Sequence, residues 1–145
     1  MSDGSLMRVY ALRLQPGDDL RQSLERHMIE QKMGAGFVVT AVGSLRRAVL
    51  RLADQAEPMV LARKFEIVSL VGTLSPSGAH LHISLADEHG ATIGGHLLCG
   101  CEVYTTVELV VGAAENLAFS RELDSATGFR ELVIRANAPG KEGEK

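Results

Sequence analysis

Three of the five histidines, His80, His82 and His96, fall in a pattern that could grip a metal ion. Residues 81, 83 and 85 are Leu, Ile and Leu, while 80, 82 and 84 are His, His and Ser. That period-2 alternation reads as a strand with one apolar and one polar face. Both imidazoles then lie on one side, about 6.5–7 Å apart along the chain. Asp87-Glu88-His89-Gly90 reads as a turn. A returning segment through Gly94-Gly95-His96 would bring the third imidazole back toward the first two. Three neutral imidazoles leave a zinc-sized ion with an open position, as catalytic zinc sites do. The same spacing also suits two surface histidines on a solvated strand, and spacing alone does not make His96 converge with them.

Other candidates surround this pattern. Cys101 to Val111 alternates, with Glu102, Tyr104, Thr106 and Glu108 on one face. Carboxylates on such a face could orient imidazoles, or they could simply meet water. If the site is catalytic, Glu108 and Glu88 are the candidate acid/base residues. Cys99 and Cys101 are one residue apart, a spacing that strains a disulfide, so reduced thiols are expected. A Cys101 thiolate could also bind zinc, and it ranks below the histidines. Arg46, Arg47 and Arg51 form a small basic cluster, read as a solvated face or as ion-pair partners before an anion site.

The elements that must position these residues follow from periodicity. Residues 6–14 alternate as a first strand. Asp18 or Asp19 can cap a helix on which Leu20, Leu24 and Met28 recur at i+4, with Ile29 extending the apolar stripe. His27 on that helix reads as a surface or boundary residue, and Gly34 and Gly36 as its stop. Residues 36–52 read as one strand bent near Gly43, or as two. The segment from Phe65 to Leu74 is apolar on both faces, which predicts a central strand or a subunit contact. Residues 113–125 read as a helical turn and loop, and 129–136 as a last strand. Many strands, one clear helix and no βαβ rhythm predict an α+β domain with a largely antiparallel sheet. The expected boundaries are a flexible N-terminus at 1–5, a single domain at 6–136 and a charged, flexible tail at 137–145.

Composition sets outer limits. The chain has 145 residues, enough for one domain with a core that needs no disulfide or metal to fold. Fifteen Lys and Arg are outnumbered by eighteen Asp and Glu, which leaves no electrostatic footprint for nucleic acid. No apolar run approaches the ~20 residues of a membrane span. The first residues carry neither a basic nor an apolar signal region. A cytoplasmic location is the expectation.

Several motifs occur together and in order: Arg13-Leu14-x-Pro16-Gly17-Asp18-Asp19-Leu20, Val42-Gly43-Ser44-Leu45, and Phe65 through Thr73. His80-Leu81-His82, Gly94-Gly95-His96-Leu97-Leu98, Thr105-Thr106-x-Glu108-Leu109 and Asp124-x-x-Thr127-Gly128-Phe129-x-Glu131-Leu132 follow. Over residues 6–135 the set closely resembles the plants and prokaryotes conserved (PPC) domain. The resemblance implies an α+β fold with an antiparallel sheet, assembly as a homotrimer, and His80, His82 and His96 as ligands of a divalent metal ion, zinc the expected one. It also implies fold-level similarity to acetolactate decarboxylase, a metalloenzyme with a three-histidine zinc site. In plants the domain is joined to AT-hooks and assembles with nuclear partners. Here no Arg-Gly-Arg-Pro core is present, and the plant partner motif Gly-Arg-Phe-Glu-Ile-Leu reads Arg63-Lys64-Phe65-Glu66-Ile67-Val68.

Three functions follow as expectations. One is a stand-alone, homotrimeric regulatory or assembly module, associated with DNA through protein partners and carrying a structural metal. The second is a small zinc-dependent enzyme acting on a small molecule. The third, direct DNA binding, is opposed by the charge and the missing AT-hook.

Overall fold

The computed structural model describes residues 4–137. Its element order is β1 (Met7–Leu14), α1 (Leu20–Glu30), β2 (Gly36–Arg51), β3 (Met59–Leu61), β4 (Phe65–Ser75), β5 (Gly78–Ala86), β6 (Thr92–Leu97), β7 (Glu102–Ala114), β8 (Leu117–Leu123) and β9 (Arg130–Ala136). All strand pairs are antiparallel. The main sheet runs β1-β7-β2-β4-β5-β6, with β3 attached to β2. The α+β class expected from the sequence is the class observed.

The sheet curls because β2 is long and kinked. Its ladder with β7 slips at Val38/Thr40, at Gly43/Leu45 and at Leu45/Arg47, and such bulges sharpen twist and bend a strand. Gly43 has φ +151°, and a Cβ there would fall 2.2 Å from the Thr106 carbonyl oxygen. Only glycine permits that approach. The bend carries the end of β2 around to β6, where Leu50 opposes Leu97 and Arg51 opposes His96.

The core fills the concave side. Leu45, Leu50, Leu74, Leu81, Leu85, Leu97, Val103, Val107 and Val111 are fully buried there with Leu20 and Leu24 of α1. The helix begins where the Asp19 side chain accepts from the Gln22 N–H, and Asp19 also accepts from Gly100 N. One cap therefore satisfies an orphan helix donor and ties the helix to the turn before β7. Arg21 is fixed from the next residues: Nη1 donates to the Leu97 carbonyl at 2.8 Å and Nη2 to the Ala79 carbonyl at 3.0 Å. These carbonyls flank His96 and His80, so α1 clamps the two histidine strands together.

Several expectations need correction. His27 is buried rather than at the surface, packed edge-on against Tyr10, and its Nε2 has no hydrogen-bond partner among the described residues. Ile29 is 74% exposed and leaves the apolar stripe, because the 100° step after Met28 turns it away from the sheet. The helix stops at Glu30, and Lys32, not glycine, takes the left-handed conformation, with φ 51°. Residues 117–123 form β8 instead of a helical turn, because pairing with β9 satisfies its backbone. The short β3 has no alternation long enough to announce it. The expected flexible ends fall mainly on residues 1–3 and 138–145, outside the described residues. Within the described residues, Ser5 Oγ accepts from Asn116 N at 2.9 Å, and Asn137 N donates to the Asn116 carbonyl at 2.7 Å.

Candidate metal centre

Strand register builds the site. The Asp87 side chain accepts from the N–H groups of His89 and Ala91, closing the turn between β5 and β6. That turn sets the register in which His82 opposes His96. Two residues earlier on the same face of β5 stands His80. Its position depends on Gly72 of β4, which has φ +146° and where a Cβ would fall 2.0 Å from the His80 carbonyl oxygen. Gly95 beside His96 serves β2 in the same way, since a Cβ there would fall 2.8 Å from the Arg51 carbonyl oxygen.

The three imidazoles converge. His80 Nε2 lies 3.2 Å from His82 Nε2, which lies 3.2 Å from His96 Nδ1. All three ligand atoms fall within 4.8 Å of one another. The rings of His80 and His96 stack at 14°, and His82 stands nearly perpendicular to both. His80 and His96 are half-buried, while His82 is exposed.

Chemistry of the donor set fits a transition ion. Zinc–nitrogen bonds of about 2.0–2.1 Å at tetrahedral angles imply nitrogen–nitrogen separations of about 3.3 Å, close to the two separations observed. A neutral imidazole carries one N–H and one lone pair. The single His82 Nε2 cannot serve both neighbours as a well-directed donor, whereas lone pairs from all three rings can meet on one cation. Charge is disfavoured on the two half-buried rings. Burial holds His80 below the ordinary histidine range, aided by the charges of Arg121, His82 and Arg21 against an opposing pull from Glu131. Burial likewise lowers His96, aided by Arg51 and the other two histidines. Neutral imidazole is the form that binds metal. A divalent ion held there would supply Lewis-acid chemistry.

The structure does not bring every sequence candidate to this point. Among the described residues no carboxylate or thiol joins the group. Glu108 lies on β7 between Arg13 and Val42, with β2 and β4 separating its strand from β5. Glu88 is exposed in the β5–β6 turn, 3.7 Å from His89. Cys101 is buried, its Sγ accepting from Val49 N and donating to the Val49 carbonyl, and burial raises its thiol to about 11. Cys99 is exposed, and neither cysteine is disulfide-bonded. Of the basic cluster, Arg46 pairs with Glu102 and Arg47 donates to the Gly100 carbonyl. Arg51 differs: it stands directly across from His96. Sequence reading missed this pairing, and it missed Arg121, whose Nη2 lies 3.4 Å from His80 Nδ1. Arg121 comes from β8, and nothing in the local sequence places that strand beside β4 and the Ser77 turn.

A curled antiparallel sheet with one helix and a three-histidine group on its outer face defines the class. The chain belongs to the Plants and Prokaryotes Conserved (PCC) domain family, whose model matches residues 1–115. It is 54% identical over 131 residues to the Bifunctional protein GlmU of Synechococcus sp. strain JA-3-3Ab, covering 90% of this chain and 21% of that protein. The chain thus spans about a fifth of the length of the curated relatives it matches. A hypothetical protein of Salmonella cholerae-suis superposes with TM-score 0.91 at 39% identity, covering 92% of this chain and 97% of that one. A metal-containing protein of Archaeoglobus fulgidus superposes with TM-score 0.76 at 30% identity, covering 87% and 93%. No helix among the described residues is long and apolar enough to cross a membrane.

Proposed function

We propose that this chain is a metal-binding assembly module: a homotrimer in which each copy holds one divalent transition ion, most naturally zinc, on His80, His82 and His96. The observation that carries this reading is the convergence of three ring nitrogens with 3.2 Å separations. The similar Archaeoglobus protein is described as metal-containing, which supports it. Imidazole ligands suit zinc, copper, nickel and ferrous iron and poorly suit magnesium or calcium.

Self-assembly is supported by an apolar outer face. Val39, Val42, Val68 and Val71 are each about half exposed on β2 and β4, and Val71 stands directly across from His82. A run of exposed valines is unfavourable in water and is the usual mark of a subunit contact. Any association with DNA runs through protein partners, because the chain is net acidic and lacks an AT-hook. The reduced Cys99 and Cys101 fit a cytoplasmic setting. Sedimentation equilibrium and metal analysis on one untagged sample test the reading. Three chains per particle with one ion per chain are expected, and a metal-free monomer contradicts it.

The second reading is a zinc-dependent enzyme. It is favoured by one observation: three protein ligands and no carboxylate leave coordination positions open, as in catalytic zinc sites. Glu108 and Glu88 do not adjoin the group, so an acid/base role would fall to other residues. Metal-dependent turnover in a screen of small metabolites, lost in His82→Ala, would establish this reading.

A further inference from the structure

The surroundings of the histidine group are cationic, although the chain as a whole is acidic. Arg121 Nη2 lies 3.4 Å from His80 Nδ1, and its side chain is only 14% exposed. The same Nη2 donates to the Arg130 carbonyl at 2.8 Å and lies 3.9 Å from Glu131 Oε2. On the other flank, Arg51 is the cross-strand neighbour of His96, and His96 that of His82. Directly paired side chains share a face and lie within reach of each other. Arg51 forms no ion pair among the described residues, and its one contact is Nη1 to the Gln55 carbonyl at 3.5 Å. Arg21 is already committed to two backbone carbonyls and Glu25, so it positions strands rather than ligands.

Charge and proton placement lead in one direction. Three neutral imidazoles give a divalent ion no compensating charge. When His80 offers its Nε2 lone pair inward, its proton sits on Nδ1. Arg121 then faces a donor with a donor, and that N–H needs another acceptor. Glu131 is the carboxylate beside Arg121 and offsets at most one of the guanidinium groups. A planar guanidinium presents paired N–H groups that match carboxylate and phosphate oxygens. We propose that the loaded three-histidine group binds a small oxyanion, a carboxylate or phosphate group, gripped by Arg51 on one flank and Arg121 on the other. This rests on the metal-binding reading above and assigns the ligand class of that same site.

The test uses full-length, untagged protein loaded with Co²⁺, whose visible spectrum reports a change in ligands. Cobalt stoichiometry is measured first. Acetate, oxalate and inorganic phosphate are then titrated into wild type, Arg51→Gln, Arg121→Gln and the control Arg46→Gln, whose partner is Glu102. Saturable spectral shifts are expected in wild type and Arg46→Gln, for at least one carboxylate or for phosphate. Each of the other variants should raise the apparent Kd about tenfold with cobalt content unchanged. Arg51→Gln keeps the test meaningful should Arg121→Gln disturb the β8–β9 hairpin, and Arg51→Lys should recover part of the affinity. Full cobalt uptake with no spectral response, or with equal Kd in all four proteins, overturns the oxyanion proposal alone. Failure of wild type to take up cobalt overturns the metal reading, and the oxyanion proposal with it.

Discussion

His82 and His96 stand directly opposite each other across β5 and β6, with ring nitrogens 3.2 Å apart. The same His82 nitrogen is 3.2 Å from His80. His82 is therefore the shared neighbour of the other two, and it is also the most exposed of the three. Strand register sets its place, since β5 carries it with His80 and pairing with β6 brings His96 opposite, so a shift of β5 displaces two of the three rings from the third.

Gly72→Ala should do that. A Cβ at residue 72 would press on the His80 carbonyl and on Leu81 Cα, neither of which can move without opening the β4–β5 ladder. The expected cost is about 3 kcal/mol, together with weakened metal uptake. Denaturant unfolding and metal content of the variant check both. Wild-type values for each would show that β5 is held elsewhere.

His27 should make the fold acid-sensitive. Burial holds its imidazole below the ordinary histidine value of about 6.5, against an opposing pull from Glu30. The unfolded chain therefore binds this proton more readily than the folded one. Stability from this residue is full above about pH 6.5 and falls as the pH drops below that value toward its folded pKa. His80 and His96 act in the same direction, so wild type should lose stability on acidification for all three. His27→Leu also removes the unpartnered Nε2. It should stabilise the protein by about 1 kcal/mol at neutral pH and flatten part of the slope between pH 7 and 5. Thermal unfolding at several pH values distinguishes this from an unchanged slope.

The exposed valines predict assembly. Val68→Asp or Val71→Asp places a charge where a subunit contact would be apolar, so either should shift the particle toward monomer in sedimentation equilibrium. A helix and sheet core that does not involve these residues should leave the monomer's circular dichroism spectrum unchanged. Wild type sedimenting as a monomer would remove the basis for this prediction.

Direct DNA binding should be absent. Phosphate neutralisation needs clustered Lys and Arg, and Arg46 and Arg47 are engaged with Glu102 and the Gly100 carbonyl. Fluorescence titration with duplex DNA should show nothing tighter than about 1 µM at physiological salt. Tighter binding with a steep salt dependence would contradict the account.

Much of this was legible in the sequence, for identifiable reasons. The alternation from residue 80 to 85 gave the face shared by His80 and His82, and the Asp87 turn implied a return toward His96. Leu20, Leu24 and Met28 announced α1 and its buried side. The two-sided apolar character of β4 emerged as one buried and one exposed valine-bearing face. What stayed hidden depends on tertiary placement. Arg51 reaches the site only because β2 bends at Gly43 and closes on β6. Arg121 reaches it only because β8 packs beside β4, with Arg121 N donating to Ser77 Oγ in the turn before β5. His27 looked like a surface residue because polarity says nothing about which side of a helix Tyr10 will cover.

The central claim is that His80, His82 and His96 hold one divalent transition ion. It is tested most directly by metal analysis of untagged wild type and His82→Ala after supplementation with zinc and dialysis. Loss of the shared ligand should abolish tight binding, while the fold survives because the core includes none of the three histidines. The account predicts about one zinc per wild-type chain and none in a folded His82→Ala variant. Equal metal content in the two proteins, or none in supplemented wild type, would contradict it.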